Sequence, residues 1–296
     1  MKELAASRPA RLMDIFVRPV FKLGGLEPIL LRLYTILNWK PLLKLAPMYY
    51  SYPAQTMRTC SRNGIRYNVD ISTLNGWRLF YHKSANESIC SLVKAGQTMF
   101  DIGAHIGEVS LRGARQVGEA GKVFSFEPNP TIYAQLVSNV NFNADLSSRI
   151  TCVNSAVGRD RGHVHMVQSD PRNPGTVSVA HIGSSEECIC HVPILSIDQY
   201  VCEHGIEKID FIKIDVEGYE CDVIIGASRT IAKWRPRLYV EVCDVHQRRQ
   251  GRSAKELIDL LVSLKYDVMS YPERRRIEVR DLGPDTFLNA LCEPDR

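Results

Sequence analysis

From about residue 86 onward, short apolar runs alternate with stretches of helical periodicity. TMFDIG precedes a helical pattern at 108–117, and KVFSFE precedes one at 130–141. DFIKIDV leads into a predicted helix at 219–232, and RLYVEVC into one at 253–264. Between these blocks, ITCVNSAV opens a polar, turn-rich insertion with two strand-like pieces, 163–168 and 188–195. YDVMSY and a last strand near 287–291 close the pattern. Nearly continuous apolar strands interleaved with helices predict an α/β fold, a mostly parallel sheet with helices on both faces. Folds of this kind bind ligands at the carboxyl ends of their strands.

Upstream, NGIRYNVDISTLNGWRLFYH (63–82) holds two runs of aromatic and β-branched residues. The turn dipeptides Asn63-Gly64 and Asn75-Gly76 predict an antiparallel pair or meander there. Residues 8–50 carry apolar residues at helical spacing (Leu12, Ile15, Phe16, then Ile29, Leu30, Leu33). Pro19, Gly24-Gly25, Pro28, Pro41 and Pro47 cut them into two or three short helices. The chain therefore divides into an N-terminal helical extension, residues 1–59, and a main domain, residues 60–296.

Composition adds limits. An apolar fraction of 45% and a charged fraction of 24% are those of an ordinary globular protein. The net charge is +4, and residues 1–50 hold eight Lys/Arg against three Asp/Glu. That surplus would suit peripheral membrane contact through residues 8–50, but a solvated helical face is the commoner cause. The N-terminus lacks the compact apolar core of a secretory signal, and no apolar run approaches the roughly 18 residues of a membrane span. Nine scattered cysteines suggest reduced thiols, so the cytoplasm is the expected compartment. No basic domain, N-P-P-[YF] motif or Pro-Cys dipeptide points to nucleic acid. Oligomeric state is not readable.

MFDIGAHIGEVSL (99–111) is the most informative stretch. A strand ending at Asp101 meets a turn with Gly103 and Gly107 before a helix whose first N–H groups can receive an anion. Glu127 ends the next strand, where a carboxylate accepts hydrogen bonds from ribose hydroxyls. A dinucleotide loop would need two further glycines, and here His105 and Glu108 occupy those positions. NAD, as in an oxidoreductase or epimerase, thus remains formally open. A ligand without phosphates fits better: S-adenosylmethionine, its ammonium facing a carboxylate such as Asp101.

The run FDIGAHIGEVSL…GKVFSFEPNP…LVSNVNFN, followed by SAVG, IDFIKIDVEGYECDVIIGA and PRLYVEV, resembles the FkbM-type S-adenosylmethionine-dependent methyltransferases over residues 60–291. The resemblance implies a class I methyltransferase fold, a Rossmann-like seven-stranded sheet with one antiparallel strand in its last pair. It also implies O-methylation of a small-molecule or saccharide hydroxyl. Asp101, Gly103, Ala104, His105 and Gly107 would then line the methionine end and Glu127 the ribose. Asn129 and the pair Ser155-Ala156 would flank the adenine. His105 departs from the family's usual asparagine, and Glu108-Val109 from a common aromatic pair. A histidine there could tie donor binding to pH near neutrality.

Methyl transfer to a hydroxyl needs alignment, removal of the hydroxyl proton and exclusion of water. Asp215 and Glu217 close DFIKIDVEGYE, and Glu241 closes the neighbouring strand, so all three are catalytic candidates. Such carboxylates could raise one another's pKa to make a general base, or could bind a divalent cation. Structural roles compete: Glu217 capping the next helix, and Glu241 pairing with Lys213 or Arg237. Lys213 alternates with Ile212 and Ile214 and should face the opposite sheet surface in an ion pair. His246 is a candidate base or a solvated loop residue, and Glu87 opens the helix before the first strand. CICH (188–191), with His163, His165 and His181, invites a zinc reading. It lacks a second ligand pair, so a strand is the preferred reading and no metal is assigned. Arg248, Arg249, Arg252 and Arg274–276 are phosphate-binding or surface charges. A non-enzymatic membrane-attached scaffold with a vestigial donor pocket is the alternative outside enzymes.

Overall fold

The computed structural model describes residues 29, 33, 46–81, 87–168, 177–180 and 188–295. The helices and membrane contact expected within residues 8–50 lie almost entirely outside the described residues. The chain forms two compact units, residues 1–62 with 67–84, and residues 63–66 with 85–296. β1 (Met57–Arg62) and β2 (Ile65–Asp70) form a two-stranded sheet. They turn at Asn63-Gly64, where both φ angles are positive (49° and 76°), as a primed hairpin turn requires. The second turn dipeptide behaves differently: Asn75-Gly76 lies inside α1 (Leu74–Tyr81). Thr73 accounts for this, because its hydroxyl accepts the Gly76 N–H at 3.2 Å and starts a helix.

The larger unit begins with α2 (Glu87–Cys90), β3 (Thr98–Ile102) and α3 (Glu108–Val117). β4 (Lys122–Phe126), α4 (Pro130–Asn141), α5 (Ala144–Ser147) and β5 (Ile150–Val153) follow. The insertion supplies β6 (Ala156–Val157), β7 (Gly162–Gln168), β8 (Val177–Val179) and β9 (Cys188–Leu195). Next come α6 (Ile197–Glu203), β10 (Phe211–Ile214), α7 (Glu220–Gly226) and α8 (Ser228–Trp234). β11 (Arg237–Cys243), α9 (Asp244–Arg249), α10 (Ala254–Ser263), β12 (Tyr266–Tyr271) and β13 (Phe287–Pro294) complete it.

The main sheet has seven strands in the order β12-β13-β11-β10-β3-β4-β5. All neighbouring pairs are parallel except those made by β13, which runs antiparallel to β11 and β12. One face is apolar: Phe100, Ile102, Phe126, Ile212, Ile214 and Val240 pack with residues of α6, α7, α8 and α10. The opposite face carries a buried polar row, Ser125, Asp101 and Lys213, which the register sets side by side on β4, β3 and β10. Strand alternation alone sorts these residues to their faces.

The helix expected at 219–232 is two helices, α7 and α8. Asp198 causes the break, because its carboxylate accepts the Arg229 and Thr230 N–H groups at 2.9 and 2.8 Å and caps α8 afresh. The insertion forms a second sheet, ordered β6-β9-β7-β8, around a small core of Ala156, Met166, Val192 and Ile194. Among the described residues no helix is long and apolar enough to cross a membrane.

Candidate active site

The loop after β3 is held by its neighbours. Gly103 has φ +79°, and a Cβ there would stand 1.9 Å from the Asp215 carbonyl oxygen, so only glycine lets the two strand ends approach. The Gly103 and Ala104 N–H groups both donate to the Phe126 carbonyl, at 3.0 and 2.9 Å. His105 (φ 50°) and Gly107 (φ 88°) then turn the chain into α3 through left-handed conformations.

Glu127 follows β4 and is buried. Its Oε2 accepts the His105 N–H and its Oε1 the Asn129 N–H, each at 2.9 Å. Burial raises its pKa to about 7, although both amides and Lys213 favour the charged form. Asn129 also caps α4, accepting the Thr131 N–H at 2.9 Å. Asp101 is fully buried; its Oδ2 accepts the Ser110 hydroxyl at 2.6 Å. Lys213 faces away from Ile212 and Ile214. Its Nζ donates to the Gly103 carbonyl at 2.7 Å and lies 3.5 Å from Asp101 and 3.3 Å from Asp215. Burial opposes the ammonium's charge, but Asp215 and Asp101 outweigh it and its pKa lies above the ordinary lysine value.

Two atoms of this loop region, His105 Nε2 and Asp101 Oδ1, are buried without a hydrogen-bond partner. The His105 pKa is lowered to about 4, first by burial and then by Lys213. The ring is therefore neutral throughout the physiological range, which removes the expected pH handle near neutrality. Ser155 and Ala156 turn their side chains to the second sheet: the Ser155 hydroxyl lies 2.9 Å from the Ala156 and Pro193 carbonyls, and Ala156 joins the small core.

At the ends of β10 and β11 the catalytic candidates separate. The Asp215 side chain is 41% exposed and pairs with Lys213. Glu217 sits at φ +56°, and Gly218 after it at φ +108°. A Cβ on Gly218 would stand 2.4 Å from the His246 carbonyl oxygen, so this glycine lets the Glu217 loop press against α9. His246 Nδ1 consequently lies 3.1 Å from Glu217 Oε2 and 3.4 Å from Glu241 Oε2. All three atoms are buried and none is aligned for a hydrogen bond.

Burial, opposed by His246 and reinforced by Glu241 and Asp215, raises the Glu217 pKa to about 7. Burial and then Asp215 raise that of Glu241. Burial lowers the His246 pKa, but Glu241 and Glu217 outweigh it and the net shift is upward. α7 has no side-chain cap. Glu220, its first residue, accepts the Val216 and Gly218 N–H groups of the loop before it, at 3.0 and 3.2 Å. Arg237 pairs with Glu293 at 2.8 Å.

His246 thus joins the carboxylates instead of lying in a solvated loop. The available signal was its place one helical turn beyond the end of the strand that carries Glu241. Glu87 begins α2 as expected. Arg248, Arg252 and Arg276 pair with Asp244, Asp222 and Asp267. His165, Cys188 and His191 come together on the second sheet; His163 is not among them, and His181 lies outside the described residues.

A seven-stranded sheet with one reversed strand next to its edge, a glycine turn after β3 and an acidic residue after β4 define a class I methyltransferase. The chain belongs to the FkbM methyltransferase family, whose domain model (Methyltransferase FkbM domain) matches residues 101–268. That membership sets aside the oxidoreductase alternative. Over 192 residues the chain is 26% identical to the 2-O-methyltransferase NoeI of Sinorhizobium fredii, covering 62% of this chain and 78% of that protein. It is 33% identical over 110 residues to the ribosomal RNA large subunit methyltransferase E of Lawsonia intracellularis, covering 36% of this chain and 54% of that one. The crystal structure of methyltransferase FkbM from Methylobacillus flagellatus KT is similar at a TM-score of 0.45 and 21% identity. That match spans 68% of this chain and 45% of the other.

Proposed function

We propose that the protein transfers a methyl group from S-adenosylmethionine to a hydroxyl of a small molecule or saccharide, with His246 as the base. The observation that carries this reading is the His246–Glu217–Glu241 trio at the strand ends beside the Gly103 loop. The donor fits the residues present: the buried Asp101 Oδ1, which meets Lys213 at 3.5 Å but accepts no hydrogen bond, and the buried His105 Nε2, which has no hydrogen-bond partner, are polar atoms that a methionine moiety's ammonium and carboxylate would satisfy. Glu127 offers the buried carboxylate a ribose needs. When bound, the donor supplies an electrophilic methyl on a sulfonium leaving group. Gly103 to Gly107 hold its amino-acid end, and Asn129 and the backbone of Ser155-Ala156 border the adenine side. Asp215 orients the reacting groups through its pair with Lys213. His246 takes the proton that the acceptor hydroxyl loses, and Glu217 and Glu241 stabilise the imidazolium.

NoeI is named a 2-O-methyltransferase, which supports a hydroxyl acceptor. Nine cysteines with no disulfide among them support a reducing compartment such as the cytoplasm. A second reading rests on the same trio: two carboxylate oxygens and an imidazole nitrogen within 4.8 Å are a donor set for a divalent cation that would polarise the hydroxyl.

Calorimetry with S-adenosylhomocysteine and a labelled-methyl assay on glycan, metabolite and RNA fractions test the proposal. Donor binding with label in an alkali-stable saccharide or metabolite ether is expected. Label confined to RNA would overturn the acceptor class, and donor binding without transfer to any fraction would favour a scaffold. Loss of activity with chelator, restored by a divalent cation, would favour the metal reading over the base.

A further inference from the structure

The outer face of the second sheet holds a cluster that methyl transfer does not use. His165 of β7 and His191 of β9 are direct cross-strand partners, their ring centroids 4.0 Å apart. Cys188 lies three residues before His191, and strict alternation would send its side chain to the other face. A β-bulge intervenes: Cys190 faces Met166 but Cys188 faces Val167, so Ile189 is an extra residue on β9. The bulge swings Cys188 to the histidine side, and its Sγ and one nitrogen of each ring all lie within 4.8 Å of one another. All three residues are exposed. The thiol's own contact is a weak one, 3.5 Å to the Cys190 carbonyl.

We infer that His165, Cys188 and His191 form a surface site for a borderline-soft divalent cation, Zn²⁺ above all, with a fourth coordination position open to water or an external ligand. One thiolate and two imidazoles are a zinc donor set, whereas hard cations such as Mg²⁺ seek oxygen. Binding forms Sγ–metal and two N–metal bonds, and the Cys188 thiol gives its proton to solvent. The strand pairing brings two ligands into register and the bulge adds the third, so the site needs only side-chain rotation to close. The sheet is also tied to the catalytic segments. Tyr219 packs on its core, and Gln250, just after α9, donates to the Val179 carbonyl at 2.8 Å. A bound ion would therefore brace the sheet that borders the loops carrying Glu217 and His246.

The test uses the full chain, stripped with chelator, kept under a non-thiol reductant and titrated with Co²⁺ and then Zn²⁺. One thiolate-to-cobalt absorption band per chain is expected in the wild type and in His246→Ala, and none in Cys188→Ser. His165→Ala and His191→Ala should each weaken zinc by at least the roughly 10- to 100-fold that loss of a mere supporting contact costs a metal site. As a check independent of any variant, zinc should protect Cys188 of the wild type from alkylation, read by mass spectrometry. Absence of micromolar zinc binding, or zinc affinity unchanged from wild type in Cys188→Ser and His191→Ala, would overturn the site. So would a cobalt band lost in His246→Ala and kept in Cys188→Ser, which would assign the ion to the catalytic trio.

Discussion

His246 Nδ1 stands 3.1 Å from Glu217 Oε2 although 28 residues of chain lie between the two. The contact joins the end of β10 to α9 and makes an imidazole the nearest cationic partner of a buried carboxylate. A base of this kind contributes about 100- to 10,000-fold to proton transfer. His246→Ala should therefore lower kcat by an amount in that range and leave S-adenosylhomocysteine affinity close to wild type. Glu217 and Glu241 hold the imidazole pKa above its ordinary value, so the wild-type rate should rise with pH through a limb above about 6.5. Glu241→Gln should shift that limb toward acid. Steady-state rates from pH 5.5 to 9 read both effects, and an unchanged limb in Glu241→Gln would remove His246 from the role.

Glu127 already accepts two amide hydrogen bonds without a ligand. A donor ribose would exchange these contacts or share them, and hydrogen bonds to a charged group contribute about 1.5–3 kcal/mol each. Glu127→Ala should weaken S-adenosylhomocysteine by about tenfold or more. Isothermal calorimetry measures this directly, and wild-type affinity in the variant would refute the ribose assignment.

The His105 ring is buried and neutral, so donor affinity should not follow a histidine titration between pH 6 and 8. His105→Asn keeps a side-chain donor and tolerates the left-handed backbone. Its donor affinity should stay within about 1 kcal/mol of wild type across that range. A wild-type binding curve with a midpoint near pH 6.5 that vanishes in His105→Asn would contradict the assigned neutrality.

These predictions rest on features of unequal visibility in the sequence. The strands and glycine turn that carry Asp101, Gly103 and Glu127 were readable because strand ends and turn glycines are local signals, and α4 begins and ends where its periodicity does. The resemblance supplied the reversed strand, whose insertion between β11 and β12 no local pattern could show. The break between α7 and α8 was invisible because Asp198, which caps α8, lies about 30 residues upstream of it. Glu217, Glu241 and His246 were each candidates in the sequence, but the placing of His246 against the two carboxylates was not legible for the same reason: the Gly218 approach to the His246 backbone is a contact between distant segments. Cys188 needed a bulge, and a strand sequence does not reveal where its alternation slips.

Gly218 offers a direct test of that geometry. A methyl group there would meet the His246 carbonyl at 2.4 Å, at a φ of +108° that side chains rarely adopt. Gly218→Ala should destabilise the fold by more than about 1 kcal/mol. Its activity should fall further than stability explains, because Glu217 and His246 are driven apart. Kinetics well below the melting temperature, compared with a thermal melt of the same sample, separate the two effects. Wild-type kcat in a destabilised variant would show that the contact is not needed for turnover.

Buried carboxyls make the fold's stability depend on pH with a definite sign. The pKa of Glu220 is raised to about 8, by burial first and then by Glu241, and that of Glu127 to about 7 by burial. Carboxyls of the unfolded chain release their protons near 4.5, so from there to about pH 8 the folded state holds protons that the unfolded state has lost. Stability must then fall as pH rises across that window. His246 acts in the same direction: its raised pKa stabilises the fold below the ordinary histidine value, and the gain is lost as pH passes the folded pKa. Glu220→Gln isolates one carboxyl. Its carbonyl can still accept the Val216 and Gly218 N–H groups, and the amide of Gln247, which donates to Glu220 Oε2, can turn to accept from the new side chain. The variant should match wild type at pH 5 and exceed it at pH 8.5 by about 2 kcal/mol or more. Urea unfolding at the two pH values measures the difference, and a variant less stable than wild type at pH 8.5 would mean that the Glu220 charge is satisfied in the folded state.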